Sequence, residues 1–84
     1  MIRIDDLAIF VRVASLDSFS AVGREMNLLP SQISAAIKRL ERELDIRLFA
    51  RSTRSLRLTL EGQNYLPHAR AVLESLHALS LIHI

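Results

Sequence analysis

The chain has 84 residues, of which 50% are hydrophobic and 24% charged, and its formal net charge is +2. A chain of this length forms at most one small domain with a modest core. It has no cysteine, no run of about 18 apolar residues and, with Asp5, Asp6 and Asp17 near its start, no signal-peptide pattern, so we expect a cytoplasmic protein without disulfides, thiolate metal sites or membrane spans.

Two helices are predicted in the first third of the chain. Apolar residues recur at helical spacing from about Ile4 to Leu16, which indicates the first helix. The pair Asp17-Ser18 interrupts that pattern, and Ser18 suits the N-cap of a second helix. The second helix is expected to end near Asn27, because asparagine tolerates the left-handed geometry found at helix ends.

A third helix is predicted to begin at Pro30, which suits the first helical position, and to end near Leu44. Arg39 and Glu43 are four residues apart and could form a surface ion pair. The apolar stripe of this helix is regular and predicts a buried face formed by Ile33, Ala36, Ile37, Leu40 and Leu44.

Two short extended segments, 47–51 and 55–59, follow with a polar connector between them, which predicts a β-hairpin or wing. Strict alternation places Leu56 and Leu58 on one face and Arg57 on the other. Thr59 can cap a last helix, in which Pro67 is expected to cause a kink.

The last helix has an apolar stripe wider than one packing partner needs. We therefore expect part of it to rest on the domain and part to meet a second copy of the chain. The pattern continues to the final residues without a capping residue, as expected of a chain cut from a longer one. The stripe consists of Tyr65, Leu66, Ala69, Val72, Leu73, Leu76 and Leu79.

Basic residues concentrate in one segment. Between Lys38 and Arg57 there are seven basic and three acidic residues, so this segment has a net charge of +4. A basic stripe on a nearly neutral protein is typical of phosphate-backbone binding. An ordinary solvated charged face is the alternative, which composition alone would favour.

Several short motifs follow one another along the chain. They are Leu7, Phe10, Ser18-Phe19-Ser20, Ser34, Ile37, Leu40-Glu41, Leu44, Leu48-Phe49-Ala50-Arg51, Arg54, Leu58-Thr59 and Gly62. Their order resembles the N-terminal domain of LysR-type transcriptional regulators, from the start of the chain to about Ala78. The resemblance implies a mainly α winged helix-turn-helix, with three helices and a two-stranded β wing at 1–59, and a linker helix at 60–84 that pairs two chains. An effector-binding domain normally follows and is expected to be absent here.

The same resemblance implies sequence-specific binding of double-stranded DNA, with the third helix in the major groove and the wing in the adjacent minor groove. A homodimer is the expected form, with no cofactor, metal, small-molecule effector or enzymatic activity in this part. The residues whose motif positions fall on DNA are Pro30, Ser31, Ser34 and Ala35 in the helix and Arg51 and Arg54 in the wing.

Simpler interpretations stay open for several of these residues. The two serines could be ordinary helix-start residues, and Arg51 could brace the wing. Lys38 is predicted to anchor phosphate, but it could be a solvated charge. Three departures from the family pattern stand out: Leu29 where Ser or Thr usually caps the helix, Ala35 in place of a longer polar residue, and Asp45 in place of glycine.

Two other kinds of function were weighed. His68, His77 and His83 are nine and six residues apart, which does not place them on one helical face, so a metal site is not predicted. The rival to DNA binding is a protein-interaction fragment that dimerises through its apolar last helix, with an incidental basic stripe.

Overall fold

The computed structural model describes the backbone of residues 1–51 and 56–82 and the side chains of residues 1–50 and 56–79. A helical domain with a small antiparallel wing and a long last helix forms within these ranges, which confirms the predicted winged helix-turn-helix class. The elements in chain order are α1 (Ile4–Leu16), α2 (Phe19–Met26), α3 (Pro30–Leu44), β1 (Phe49–Arg51), β2 (Leu56–Leu58) and α4 (Leu60–Ile82).

The first three helices each end on an acidic or amide residue in the left-handed region. Asp17, Asn27 and Asp45 have φ angles of 54°, 58° and 56°. Their backbone N–H groups donate to carbonyls in the last turns of their own helices. Short polar side chains tolerate this conformation better than most residues with a Cβ. Asp45 therefore occupies the geometry for which a glycine would be the usual choice.

Two of the predicted helix caps are confirmed. The Ser18 hydroxyl accepts a hydrogen bond from the Ala21 N–H at 3.1 Å, and the Thr59 hydroxyl accepts one from the Gly62 N–H at 2.9 Å. These bonds satisfy N–H groups that have no intrahelical partner. They fix where the chain turns into α2 and α4.

The core lies where α1, α3, β1 and the first half of α4 meet. Phe10 of α1 is fully buried, and its ring contacts Phe49 edge-on at 5.6 Å and Tyr65 at 5.9 Å between centroids. Burial raises the pKa of the Tyr65 phenol. The predicted buried face of α3 is confirmed for all but Leu44, which is only partly buried. The other large, fully buried side chains are Val13, Val22, Ile33, Ile37, Leu40 and Leu48.

Two glycines permit close backbone contacts on either side of α3. A Cβ on Gly23 would lie 2.5 Å from the Leu28 carbonyl oxygen, and a Cβ on Gly62 would lie 2.3 Å from that of Leu48. Contacts this short are not tolerated, so a side chain at either position would displace the backbone. Gly23 thus sets the tight turn into α3, and Gly62 sets α4 against the start of the wing.

The last helix packs on the domain only along its first half. Ala69 is buried, whereas Val72, Leu76 and Leu79 are 42%, 38% and 52% exposed. The helix continues through Pro67, and the predicted kink stays a prediction. Within the described residues, no helix is long and apolar enough to cross a membrane.

Candidate nucleic-acid interface

One face of α3 is exposed along its whole length. Ser31, Ala35, Lys38 and Arg42 follow one another at intervals of four, three and four residues, which places them on one side of a helix. All four are exposed, and the core-facing residues lie on the opposite side. We call these four residues the free face. It has the width and charge of a surface that can enter a DNA groove.

The two cations of the free face have no ion-pair partner among the side chains that the structure describes. Within the described side chains, neither Lys38 nor Arg42 forms an ion pair. The structure therefore leaves two positive charges, one turn apart, available to a polyanion.

The beginning of α3 projects beside α2. Pro30 and Gln32 are exposed, whereas the predicted contact residue Ser34 is half-buried. Leu29 supplies no side-chain cap, and instead the Gln32 Oε1 accepts a hydrogen bond from the Leu29 N–H at 2.8 Å. Only one of the two hydrogen bonds of a capping box is therefore formed, and the one that a Ser or Thr side chain at the N-cap would accept is missing.

A shallow groove of about 470 Å³ separates the beginning of α3 from α2. Arg24 lies in the last turn of α2, is exposed and lines this groove together with Gln32. The sequence analysis missed both residues. The signal for Arg24 was its position shortly before the predicted turn between the second and third helices. Such a turn brings the end of the second helix close to the start of the third.

An ion pair between the partly exposed Arg39 and the buried Asp6 joins α3 to α1. The Arg39 guanidinium donates two hydrogen bonds to the Asp6 carboxylate, at 3.0 and 3.1 Å, and Asp6 is only 3% exposed. These bonds raise the pKa of the Arg39 guanidinium. The expected Arg39–Glu43 pair is not formed, and Glu43 instead pairs with the N-terminal ammonium at 3.0 Å. A buried carboxylate such as that of Asp6 needs a hydrogen-bond donor, whereas the Glu43 side chain is exposed to solvent.

Glu41 attaches the wing to α3. Its carboxylate accepts hydrogen bonds from the backbone N–H groups of Leu48, at 2.8 Å, and Phe49, at 3.4 Å, and lies 3.8 Å from the Arg47 guanidinium. The Thr59 hydroxyl, just after β2, donates a hydrogen bond to the Arg47 carbonyl, just before β1. The orientation of the wing relative to the free face is therefore fixed by a side chain of α3 itself. From the sequence, Glu41 is a motif residue and one of the acidic residues of the basic segment, and no contact is predicted for it.

The wing is a two-stranded antiparallel ladder. Phe49 pairs with Leu58 and Arg51 with Leu56, and the alternation predicted for β2 is confirmed because Arg57 is exposed between two partly buried leucines. Arg54 and the side chain of Arg51, predicted to contact DNA, lie outside the described residues.

The residues predicted for dimerisation divide into two groups. Tyr65, Leu66 and Leu73 are partly buried against the core, and Ala69 is wholly buried in it. The exposed members are Val72, Leu76 and Leu79, which lie at intervals of four and three residues on one side of α4.

No cluster of histidine, aspartate or glutamate among the described residues could hold a metal ion. His83, one of the three histidines weighed in the sequence, lies outside those residues.

Comparison with known proteins shows one family. The model of "Bacterial regulatory helix-turn-helix protein, lysR family" matches residues 4–63. The chain is 50% identical over 70 residues to the uncharacterized HTH-type transcriptional regulator y4mQ of Sinorhizobium fredii, covering 83% of this chain and 24% of that protein. It is 44% identical over 70 residues to the probable HTH-type transcriptional regulator LtrA of Klebsiella pneumoniae, covering 83% and 23%.

The chain thus spans about a quarter of the length of these curated relatives. Their names are those of regulators, in agreement with the expectation that the chain is not an enzyme. Among solved structures, the BenM_DBD/catB site 1 DNA complex superimposes with a TM-score of 0.90 at 26% identity, covering 96% of this chain and 91% of that one.

Proposed function

We propose, since this chain belongs to the LysR family of bacterial regulatory helix-turn-helix proteins, that it binds double-stranded DNA in a sequence-specific manner as the DNA-binding domain of a transcription regulator. The observation that supports this most is the free face of α3, whose two cations have no counter-ion among the described residues. A single helix fits the width of the major groove of B-DNA.

In the proposed complex, α3 enters the major groove with its first turns towards the bases. Ser31 and Ser34 would exchange hydrogen bonds with base edges or donate to phosphate oxygens, and Lys38 and Arg42 would bind phosphate oxygens. Arg24 of α2, exposed beside the beginning of α3, is in a position to bind the same phosphate backbone. Phosphate contacts set the register, and base contacts in the first turns set the sequence.

The wing is proposed to reach the adjacent minor groove. Motif position assigns this role to Arg54 and, as a second contact, to Arg51. A guanidinium suits a narrow minor groove, where the negative potential is enhanced. The hydrogen bond from the Leu48 N–H to the Glu41 carboxylate supports this part of the proposal, because it attaches the start of the wing to α3, the helix that carries the free face.

Two chains are proposed to pair through α4. Val72, Leu76 and Leu79 present an apolar face that the chain itself leaves exposed. Twofold pairing would place two copies of α3 against an interrupted inverted repeat. The domain boundary near residue 59, the homodimer and a cytoplasmic location are parts of this proposal.

Selection of duplexes from a random pool, followed by anisotropy titrations over a salt series, tests the proposal. We expect an inverted repeat and an affinity that falls steeply with salt, because phosphate binding releases counter-ions. Enrichment of no sequence, together with salt-insensitive binding, would contradict it.

One observation favours a second function. The exposed apolar face of α4 would also serve a fragment that pairs with another regulator chain without binding DNA itself. Sedimentation of the chain alone, beside the same titration, separates the two. Intact dimers that bind no duplex would favour the interaction fragment.

A further inference from the structure

Leu29 is a large apolar side chain that the fold does not use. It is 64% exposed at the N-cap of α3, whereas its neighbour Leu28 is half-buried against the core. Serine, threonine, aspartate or asparagine at an N-cap stabilises a helix relative to an apolar residue. Ser18 and Thr59 cap α2 and α4 in this way. The leucine thus weakens the helix start and contributes nothing to the core.

The surroundings of Leu29 are polar and cationic. Leu29 and Pro30 line the shallow groove between α2 and α3 together with Arg24, Asn27 and Gln32. Arg24 is exposed and forms no ion pair with any described residue. A partner that fits here must offer negative charge at its edges and a small apolar group at its centre.

Double-stranded DNA offers one apolar group in its major groove, the C5-methyl of thymine, which lies between two rows of phosphates. We propose that Leu29, with the ring of Pro30 beside it, contacts a thymine methyl in each half-site and so determines the preferred base at that position. This inference rests on the proposed function and deepens it. It assigns recognition of a thymine to Leu29, whose side chain cannot form a hydrogen bond with a base.

Replacement of single thymines by uracil tests the inference. The change removes the methyl and leaves the Watson–Crick edge intact. In a duplex selected from the random pool, we expect one thymine per half-site whose replacement weakens the wild type about fourfold, the value for burying one carbon group. The Leu29→Ser variant should lose most of the difference in affinity between the thymine and uracil duplexes, because only the contact of the Pro30 ring remains, and the Leu29→Met variant should keep that difference.

Leu60→Ser is the matched control, since Leu60 is 67% exposed and also begins a helix. It should keep the full sensitivity to the thymine methyl. The melting temperature of Leu29→Ser should not fall, because serine can cap α3.

Two results would overturn the inference: no thymine whose methyl matters, or an equal loss in wild type and Leu29→Ser. Either can occur while sequence-specific binding persists, which leaves the proposed function standing. Failure of the wild type to select any duplex would instead remove the premise.

Discussion

The free face of α3 and the two flanks beside it, which carry Arg39 on one side and Glu41 on the other, all have charged residues, but the partners of these residues differ. On the flanks, Arg39 binds Asp6 of α1, and Glu41 binds the backbone of β1. On the free face, Lys38 and Arg42 bind no described side chain. One helix thus has charges that hold it in the fold and charges that remain available. The number of basic residues along the sequence does not distinguish the charges that are paired within the fold from those that remain available.

The difference also bears on binding. Because the flanks fix α3 to α1 and to the wing, little ordering of these elements should be needed when DNA binds, and less binding free energy is spent on it. The flanks are therefore expected to govern the stability and relative placement of the elements, and the free face the affinity. Each substitution below should therefore change either the stability or the DNA affinity, and the other quantity can still be measured.

The largest effect is expected from Arg39→Met. It leaves the Asp6 carboxylate buried without a donor, which is strongly destabilising, and we expect the melting temperature to fall by roughly 10 °C or more. The double variant Asp6→Leu/Arg39→Met removes both charges and should recover much of the loss. The affinity of the remaining folded protein for DNA should be unchanged. A single variant as stable as the wild type would contradict the assigned role.

A smaller effect is expected from Glu41→Ala. It removes the acceptor from the Leu48 N–H, and we expect the free energy of unfolding to fall by about 1 to 3 kcal/mol in urea titrations. Exchange of the Leu48 amide hydrogen should accelerate. Glu41→Gln retains an acceptor oxygen and should lose less. If neither variant changes amide exchange at Leu48, the side chain does not hold the wing.

Arg54→Ala should leave stability unchanged and weaken binding, with a reduced preference for A·T-rich sequence beside the half-site. In the Glu41→Ala background the same substitution should cost less affinity, because a displaced wing no longer brings this arginine to the groove. Full affinity and an unchanged salt slope for Arg54→Ala would show that the wing assignment is wrong. Additive losses in the double variant would show that Glu41 and Arg54 act independently.

Most of the fold could be predicted from local signals. The regular stripe of α3, Pro30 at its start and Ser18 and Thr59 as caps depend on neighbours within a few residues, and these predictions are confirmed. The partner of Arg39 could not be predicted in this way. Glu43 is four residues away in sequence, whereas Asp6 is 33 positions away and meets Arg39 only after α1 and α3 pack.

The same limit applies to the candidate interface. Helical spacing places Ser31, Ala35 and Lys38 on one face, so the free face follows from the sequence. Arg24 and Glu41 gain their roles from contacts between elements: the turn brings α2 to the beginning of α3, and the chain after α3 returns β1 to Glu41. Such contacts depend on how the elements pack, which a residue pattern does not specify.

The central claim is that the free face, and not positive charge in general, binds the DNA backbone. The most direct test compares the salt dependence of affinity for Lys38→Ala and Arg70→Ala. Each removes one exposed cation without an ion-pair partner among the described residues, the first from the free face and the second from α4. We expect the slope of log affinity against log salt to fall by about two for Lys38→Ala, one for each chain of the proposed dimer, equally for all sequences, and to stay unchanged for Arg70→Ala. Equal changes in both variants, or no change for Lys38→Ala, would contradict the claim.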